Sequence, residues 1–237
     1  MHHYKRILLK LSGESLAGPG TLGIDHAILH EYALQISMIA QSGIQVGVVL
    51  GGGNIFRGMQ GAGKGVDRVQ GDYMGMLATI INSMALQTAL EAMGVATTVR
   101  SGIPVEPICR KMNSRKAIAL LEAGQVVIMA GGTGNPFFTT DSAAALRAVE
   151  IKAEVILKGT RVDGVYTADP EKDPNAVKYS HITFEQAYRQ NLRVMDLTAF
   201  TLCQENNVPI IVFNITQKGI LAQMLIDHKP AGTLVSN

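Results

Sequence analysis

Two side chains of this 237-residue chain stand where they can handle a charged substrate: Lys10, closing the apolar run Ile7-Leu8-Leu9, and Asp141, at the entrance of a candidate helix. A lysine at a strand end offers a compact point charge that stabilises negative charge building on a transferred phosphoryl group without covalent chemistry. Asp141 closes a stretch that follows the apolar run Val126–Ala130 and reads Gly131-Gly132-Thr133-Gly134-Asn135-Pro136-Phe137-Phe138-Thr139-Thr140-Asp141. Its glycines let backbone approach a ligand closely, and its hydroxyls and amide supply donors and acceptors. Ser12-Gly13 follows the run Arg6–Leu11, and Gly51-Gly52-Gly53-Asn54 follows Gln45–Leu50. Alone, each glycine loop suits a tight turn, Asp141 suits a helix cap, and Lys10 suits a snorkelling edge residue. Glycine loops at three strand ends together favour a phosphate ligand cradled by backbone N–H groups and helix N-termini.

Further residues qualify one by one. Arg57 and Asp72 bracket the glycine-rich segment after the second run; the first can neutralise phosphate, and the second can accept from sugar hydroxyls or cap its helix. Tyr166 and Asp169 offer an aromatic face and a carboxylate to a purine nucleoside, or ordinary turn chemistry around Asp169-Pro170. Other patterns lead away from chemistry. Gly58–Lys64 satisfies GxxxxGK, but Gly65 stands where a P-loop needs a hydroxyl, and no apolar strand enters it. Gly18–Gly23 fits GxGxxG, but it is separated from the first strand and no acid ends the second strand to hold a ribose. His26 and His30, one turn apart, lack a third ligand and read as a solvent-exposed pair, so no protein metal site is expected. Cys109 and Cys203 share no metal-ligand or redox spacing and are expected as reduced, buried thiols.

The elements that must position these groups alternate in type. Strands are expected at Arg6–Leu11, Gln45–Leu50, Ala96–Arg100, Val126–Ala130, Val155–Lys158 and Ile210–Phe213, with Thr233–Val235 as a possible edge. Between them the spacing predicts a helix capped by Asp25 and stopped by Gly43, and others over Asp72–Met93, Asn113–Ala123, Ser142–Ile151, Asp196–Asn206 and Lys218–Ile226. Such alternation implies an α/β fold, a three-layer αβα sandwich around a mostly parallel sheet. Gly159–Ser180 breaks the rhythm and reads as a long loop or a small excursion, and a loop that long is usually functional or disordered. With 47% hydrophobic and 17% charged residues the chain can bury a substantial core, and neither repeat nor linker divides it, so residues 1–237 are expected to form one domain. The net charge of +2 comes from interspersed signs, which makes no case for nucleic acid or a membrane surface as partner. No apolar stretch reaches the ~20 residues of a membrane span. Lys10 interrupts the N-terminal apolar region too soon for a signal peptide, and a cytoplasmic location is expected.

An ordered set of phrases through almost the whole chain resembles the bacterial uridylate kinases, a branch of the amino acid kinase family. The phrases are Lys10-Leu11-Ser12-Gly13-Glu14, Gly51–Gly58, Gly71–Leu77, Gly132-Thr133 through Asp141-Ser142, Val162–Pro170 and Val194-Met195-Asp196. The resemblance implies transfer of the ATP γ-phosphoryl group to UMP with magnesium, in pyrimidine nucleotide synthesis. By the same resemblance Lys10, Leu11, Ser12, Gly13, Gly53, Arg57, Thr160, Tyr166 and Asp169 would surround ATP. Gly52, Asp72, Thr133, Gly134, Asn135, Pro136, Phe137, Phe138, Thr139 and Thr140 would line the UMP site. Catalysis would fall to Lys10, Asp141 and Arg57, with Asp196 organising the site. Gly18, Pro19, Gly20, Thr21, Leu22 and Gly23 would match a GTP effector loop, and the assembly would be a homohexamer activated by GTP and inhibited by UTP. Relatives acting on acylglutamate carry a second lysine where this chain reads Arg193-Val194-Met195-Asp196, leaving Lys158 and Arg57 as candidates for the second cation. Alternatives are a kinase of carboxylate or carbamate acceptors, or a non-catalytic nucleotide or oxyanion binder on the same scaffold.

Overall fold

The computed structural model describes residues 4–20, 22–56, 65, 67–170 and 172–237. In chain order they form β1 (Arg6–Leu11), α1 (Gly13–Leu16), α2 (His26–Gln41), β2 (Gln45–Leu50), α3 (Arg68–Ala92), β3 (Thr97–Ser101), β4 (Arg110–Lys111), α4 (Ser114–Glu122) and β5 (Val126–Ala130). Then come α5 (Thr140–Glu150), β6 (Val155–Thr160), β7 (His181–Thr183), α6 (Phe184–Arg189), α7 (Leu197–Glu205), β8 (Ile210–Asn214), α8 (Ile220–Leu225) and β9 (Thr233–Ser236). The strands make one sheet in the order β4-β3-β5-β2-β1-β6-β8-β9-β7. All neighbouring pairs are parallel except β8 with β9.

The central strands are apolar along their length because helices cover both faces of the sheet. In β1 the pleat sends Ile7, Leu9 and Leu11 into one core with Tyr32 and Ile36 of α2, Leu86 of α3 and Leu221 of α8. Leu8 faces the opposite core with Ala144 and Ala148 of α5 and Phe200 of α7. Period two therefore turns Lys10 toward the α5 and α7 side. The crossovers bring the carboxyl ends of β5, β2, β1 and β6 side by side along one edge of the sheet.

Expected and observed boundaries differ where capping decides them. Asp25, Asn113 and Asp196 cap α2, α4 and α7 as the sequence suggests. However, α3 starts a turn before Asp72, because the Asp67 carboxylate accepts from the Val69 and Gln70 N–H groups and lets the helix nucleate there. Asp72 is thus an interior helical residue. In α5 the cap is the Thr139 hydroxyl, which accepts from the Asp141 and Ser142 N–H groups. Asp141 lies in the first turn with its carboxylate free for other partners. The segment expected as an edge, β9, is internal, since the three-residue β7 pairs on its far side. Strands as short as β4 and β7 leave no room for an alternating pattern. The irregular segment is real: after β6 the chain runs to β7 with the isolated bridge Tyr166–Lys178.

Candidate active site

Lys10 on β1 and Lys158 on β6 are register partners on neighbouring strands, so their side chains leave the sheet on the same face. Two ammoniums so placed repel unless an anion separates them. The first turn of α5 supplies it: Asp141 Oδ1 lies 2.7 Å from Lys10 Nζ and Oδ2 lies 2.9 Å from Lys158 Nζ. The Lys158 contact is an aligned hydrogen bond, whereas the Lys10 contact is an ion pair whose angles fall short of one. Lys158 also donates to the Val194 carbonyl at 2.5 Å, which ties the 190s segment to the cluster. Burial works against the Asp141 carboxylate, but the two ammoniums outweigh it and hold the carboxyl below the usual carboxylate range. For Lys158 burial dominates; Asp141 offsets part of it, Lys10 adds to it, and the ammonium ends below the ordinary lysine value.

Asp196 reaches none of these lysines directly. It accepts from the Ser142 hydroxyl at 3.0 Å, from the Thr139 hydroxyl through a short contact, and from the Ala199 N–H at 2.9 Å. One carboxylate thereby caps α7 and clamps the start of α5, on which Asp141 rides. Burial, with Asp141 and Asp196 nearby, pushes the Cys203 thiol up to about 12, and both free cysteines are buried, in keeping with inert packing roles.

On one side of the cluster a cavity of about 300 Å³ lies between the 131–139 loop and α3. Of the residues expected at a UMP site, Gly52, Asp72, Thr133, Asn135, Phe138, Thr139 and Thr140 line it, together with Gly53. Gly134, Pro136 and Phe137 belong to the same loop but not to that lining. Phe137 holds a left-handed φ of 72°, a costly conformation for an aromatic residue. Its N–H donates to Asp72 Oδ2 at 2.7 Å, and the Arg68 guanidinium sits 5.6 Å from its ring centroid. Arg68 in turn pairs with Asp72 at 2.9 Å.

On the other side, Thr160, Tyr166 and Asp169 line a cavity of about 520 Å³. A further cavity of about 610 Å³ between α6 and α7 is lined by Asp141, Arg193 and Asp196, and Lys158 borders both. The Tyr166 hydroxyl donates to Asp163 at 2.6 Å, so Tyr166 is anchored to its own loop. Leu11 is fully buried, leaving its backbone as the part that can meet a ligand, and its carbonyl already accepts from Gly51. Gly13 packs so closely on the next loop that a Cβ there would sit 2.4 Å from the Gly51 carbonyl oxygen. Arg57, Thr21 and the GxxxxGK segment lie outside the described residues. The end of the 18–23 loop is tied to the β2 loop: Gly23 N–H donates to the Asn54 carbonyl and Asn54 Nδ2 donates to the Gly23 carbonyl, each at 2.8 Å.

Residues 5–214 match the sequence profile of the Amino acid kinase family. The chain belongs to the amino acid kinase family. Similar proteins include a uridylate kinase from Parabacteroides distasonis, 60% identical over 237 residues that make up all of both chains. Among solved structures, the UMP kinase from Ureaplasma parvum aligns with a TM-score of 0.93 and 43% identity over 100% of both chains. The UMP kinase from Bacillus anthracis aligns with a TM-score of 0.95 and 37% identity, covering 99% of this chain and 97% of that one.

In this amino acid kinase several site residues escape a reading of the sequence. Lys158, one of two candidates for a second cation, becomes the partner of Lys10 once strand register is known. Two lysines near the ends of otherwise apolar strands were the available signal. Thr79 and Asn82 of α3 gave none: Thr79 Oγ1 accepts from the Gly131 N–H at 2.8 Å, and Asn82 Nδ2 donates to the Gly51 carbonyl at 2.7 Å. Asn82 also exchanges amide hydrogen bonds with Asn54, of 3.0 and 2.7 Å. The inward face of α3 thus holds both the β2 and the β5 loops. Among the described residues no cluster of His, Cys, Asp or Glu is arranged to hold a metal ion.

Proposed function

We propose that this chain is a uridylate kinase that transfers the γ-phosphoryl group of ATP to UMP, giving UDP and ADP. The observation that carries the reading is the Asp141-bridged pair Lys10–Lys158, set beside the cavity lined by Asp72 and the 131–140 loop. Full-length similarity to proteins named uridylate kinase and UMP kinase supports the same acceptor.

Both substrates are anions, so the barrier to overcome is repulsion and misalignment. An oxygen of the UMP phosphate forms a bond to the γ-phosphorus while the bond from that phosphorus to the bridging oxygen breaks, and ADP carries that electron pair away. The acceptor phosphate is already ionised near neutral pH, so no general base is required. Two ammoniums against one carboxylate leave the Lys10–Asp141–Lys158 group with one net positive charge. Asp141 keeps the two ammoniums apart and fixed, which makes the positive charge pre-organised rather than mobile. In this reading Lys10, Leu11, Ser12, Gly13, Gly53 and Arg57 attend the ATP phosphates, with Thr160, Tyr166 and Asp169 at the adenosine. Asp72, Gly52 and residues 133–140 hold UMP, and Asp196 steadies α5. Asp141 is committed to its lysines, and among the described residues no group of carboxylates is arranged to hold a metal ion, so magnesium fits as an ion arriving with ATP. Bound to the donor phosphates, it would neutralise their charge.

We read residues 1–237 as one domain acting as a homohexamer in the cytoplasm, activated by GTP through the 18–23 loop and inhibited by UTP. An apolar stripe on the outer face of α3, Met74, Leu77, Ile81 and Met84, continues onto Leu34 and Met38 of α2 and suits subunit contact. No helix among the described residues is long and apolar enough to cross a membrane. The test offers purified chain ATP and magnesium with UMP, CMP, dTMP, glutamate, aspartate or carbamate and measures ADP. Turnover with UMP well above every other acceptor is expected; equal or greater turnover with a carboxylate or carbamate refutes the assignment.

A further inference from the structure

We propose that Arg147 of α5 is a positioning residue that turns the Gly132–Thr133 peptide so that its N–H, rather than its carbonyl, faces the anionic acceptor. The proposal rests on the reading that the cavity of about 300 Å³ takes the UMP phosphate. The Arg147 side chain is 5% exposed, a costly burial for a guanidinium, and its carboxylate partner is Glu150, which is 32% exposed. Nη1 donates to Glu150 Oε2 at 2.6 Å, and Nη2 donates to the Gly132 carbonyl at 2.9 Å.

That second bond fixes more than one atom. The Gly132–Thr133 peptide is trans, the one cis bond among the described residues being Glu106–Pro107, and in a trans peptide the carbonyl and the N–H point in opposite directions. With the carbonyl drawn back toward Arg147, the Thr133 N–H points away from it. No described residue accepts that N–H, and both Gly132 and Thr133 line the cavity. The two peptides before it are fixed in their own sense: in Ala130–Gly131 the N–H is held by Thr79 and the carbonyl accepts from Gly102, and in Gly131–Gly132 the carbonyl accepts from the Gly134 N–H at 3.0 Å.

A restraint is needed because Gly131, Gly132 and Gly134 all have positive φ, and glycine passes readily between such conformations. An unrestrained flip would present a carbonyl oxygen, the negative end of the peptide dipole, to a phosphate. Arg147 therefore sets the sign of the field that the loop offers to the acceptor and leaves the donor side untouched.

The test compares wild-type chain with Arg147→Met, Arg147→Lys and Glu150→Gln, varying UMP and ATP separately and recording thermal melting of each protein. Arg147→Met is expected to raise KM for UMP about tenfold while KM for ATP stays within about twofold, the split expected when a charge-assisted hydrogen bond serves one substrate. Arg147→Lys, which loses the fork spanning Gly132 and Glu150, is expected to raise KM for UMP by a smaller factor and decides the matter where Arg147→Met does not fold. Glu150→Gln retains the Gly132 contact and is expected to keep both KM values near wild type. KM for UMP unchanged in a folded Arg147 variant, or KM for both substrates rising together, overturns the inference while UMP turnover by the wild type stands. Absence of UMP turnover by the wild-type chain overturns the substrate reading and this inference with it.

Discussion

Two groups of lysine and aspartate lie near the same edge of the sheet and differ in what surrounds them. In the first, Lys10, Asp141 and Lys158 have side chains 11%, 17% and 14% exposed and meet between β1, β6 and α5. In the second, Lys178 and Asp163 are 37% and 49% exposed, pair at 2.8 Å on the loop after β6, and accept Tyr166 as a third member. Hydrogen bonds from Lys178 and Tyr166 hold the Asp163 carboxyl below its usual range, and the same bond pushes the Tyr166 hydroxyl up. Water and salt screen the second group, so its charges interact weakly with anything beyond their partners. The first group is shielded, and in the proposed reaction its field would reach the reacting atoms with little loss. Residue type and contact distance are alike in the two groups; burial separates the proposed reaction centre from a loop staple.

The comparison is broken most severely if Lys10→Ala fails to matter. Removing that charge is expected to lower kcat by about 10³-fold, as loss of a pre-organised stabilising group does, with the melting curve little changed. Steady-state turnover near the wild-type rate would show that the shielded field is not what drives the reaction. Next in size, Asp141→Asn leaves two buried ammoniums facing each other and is expected to cost about 3 kcal/mol of stability, read by urea unfolding, together with most activity. Stability equal to wild type would show that the cluster is hydrated like the loop pair.

A smaller and sharper effect lies in pH. Lys158 has a folded value below that of a free lysine, so its charged form is disfavoured in the native protein. The cost to stability is present at neutral pH and fades as pH rises through the lowered folded value, while activity that needs the ammonium falls over the same range. For Asp141 the sign is opposite in consequence: its contribution to stability is present above the ordinary carboxylate value and is lost as pH falls through the depressed folded one. The alkaline limb of kcat is therefore expected below the ordinary lysine range, and Lys158→Arg, which stays charged, should remove it. A limb at the free-lysine position would place Lys158 outside the mechanism. Smallest of all, Asp163→Asn is expected to change stability by less than ~1 kcal/mol and leave kcat near wild type, checked by the same two assays. A large loss there would make the loop pair a second centre.

Much of this architecture is legible from residue order. Apolar runs mark β1, β2 and β5 with their observed ends, and Asp25, Asn113 and Asp196 announce their helices. Glycines after three strands point to one ligand edge, because parallel strands must end on the same side. Asp72 and Asp141 were harder, since a carboxylate near a helix start caps or does not according to which neighbour reaches the free N–H groups first. Asp67 and Thr139 do so here, which frees Asp72 for the Phe137 N–H and Asp141 for two lysines.

The order of residues by itself determined the α/β alternation, the phosphate-ready loops and the identity of Lys10 and Asp141 as charged groups worth watching, because periodicity and short-range spacing are local properties. Only the tertiary structure decided that Lys158 stands opposite Lys10, that Asp141 bridges the two, and that Thr79, Asn82 and Arg147 hold the loops from behind. Those relations join residues from 15 positions apart, as Arg147 and Gly132 are, to well over a hundred, as Lys10 and Lys158 are, and they depend on how the strands and helices pack; electrostatic effect depends on burial, which no single residue's neighbours in sequence encode.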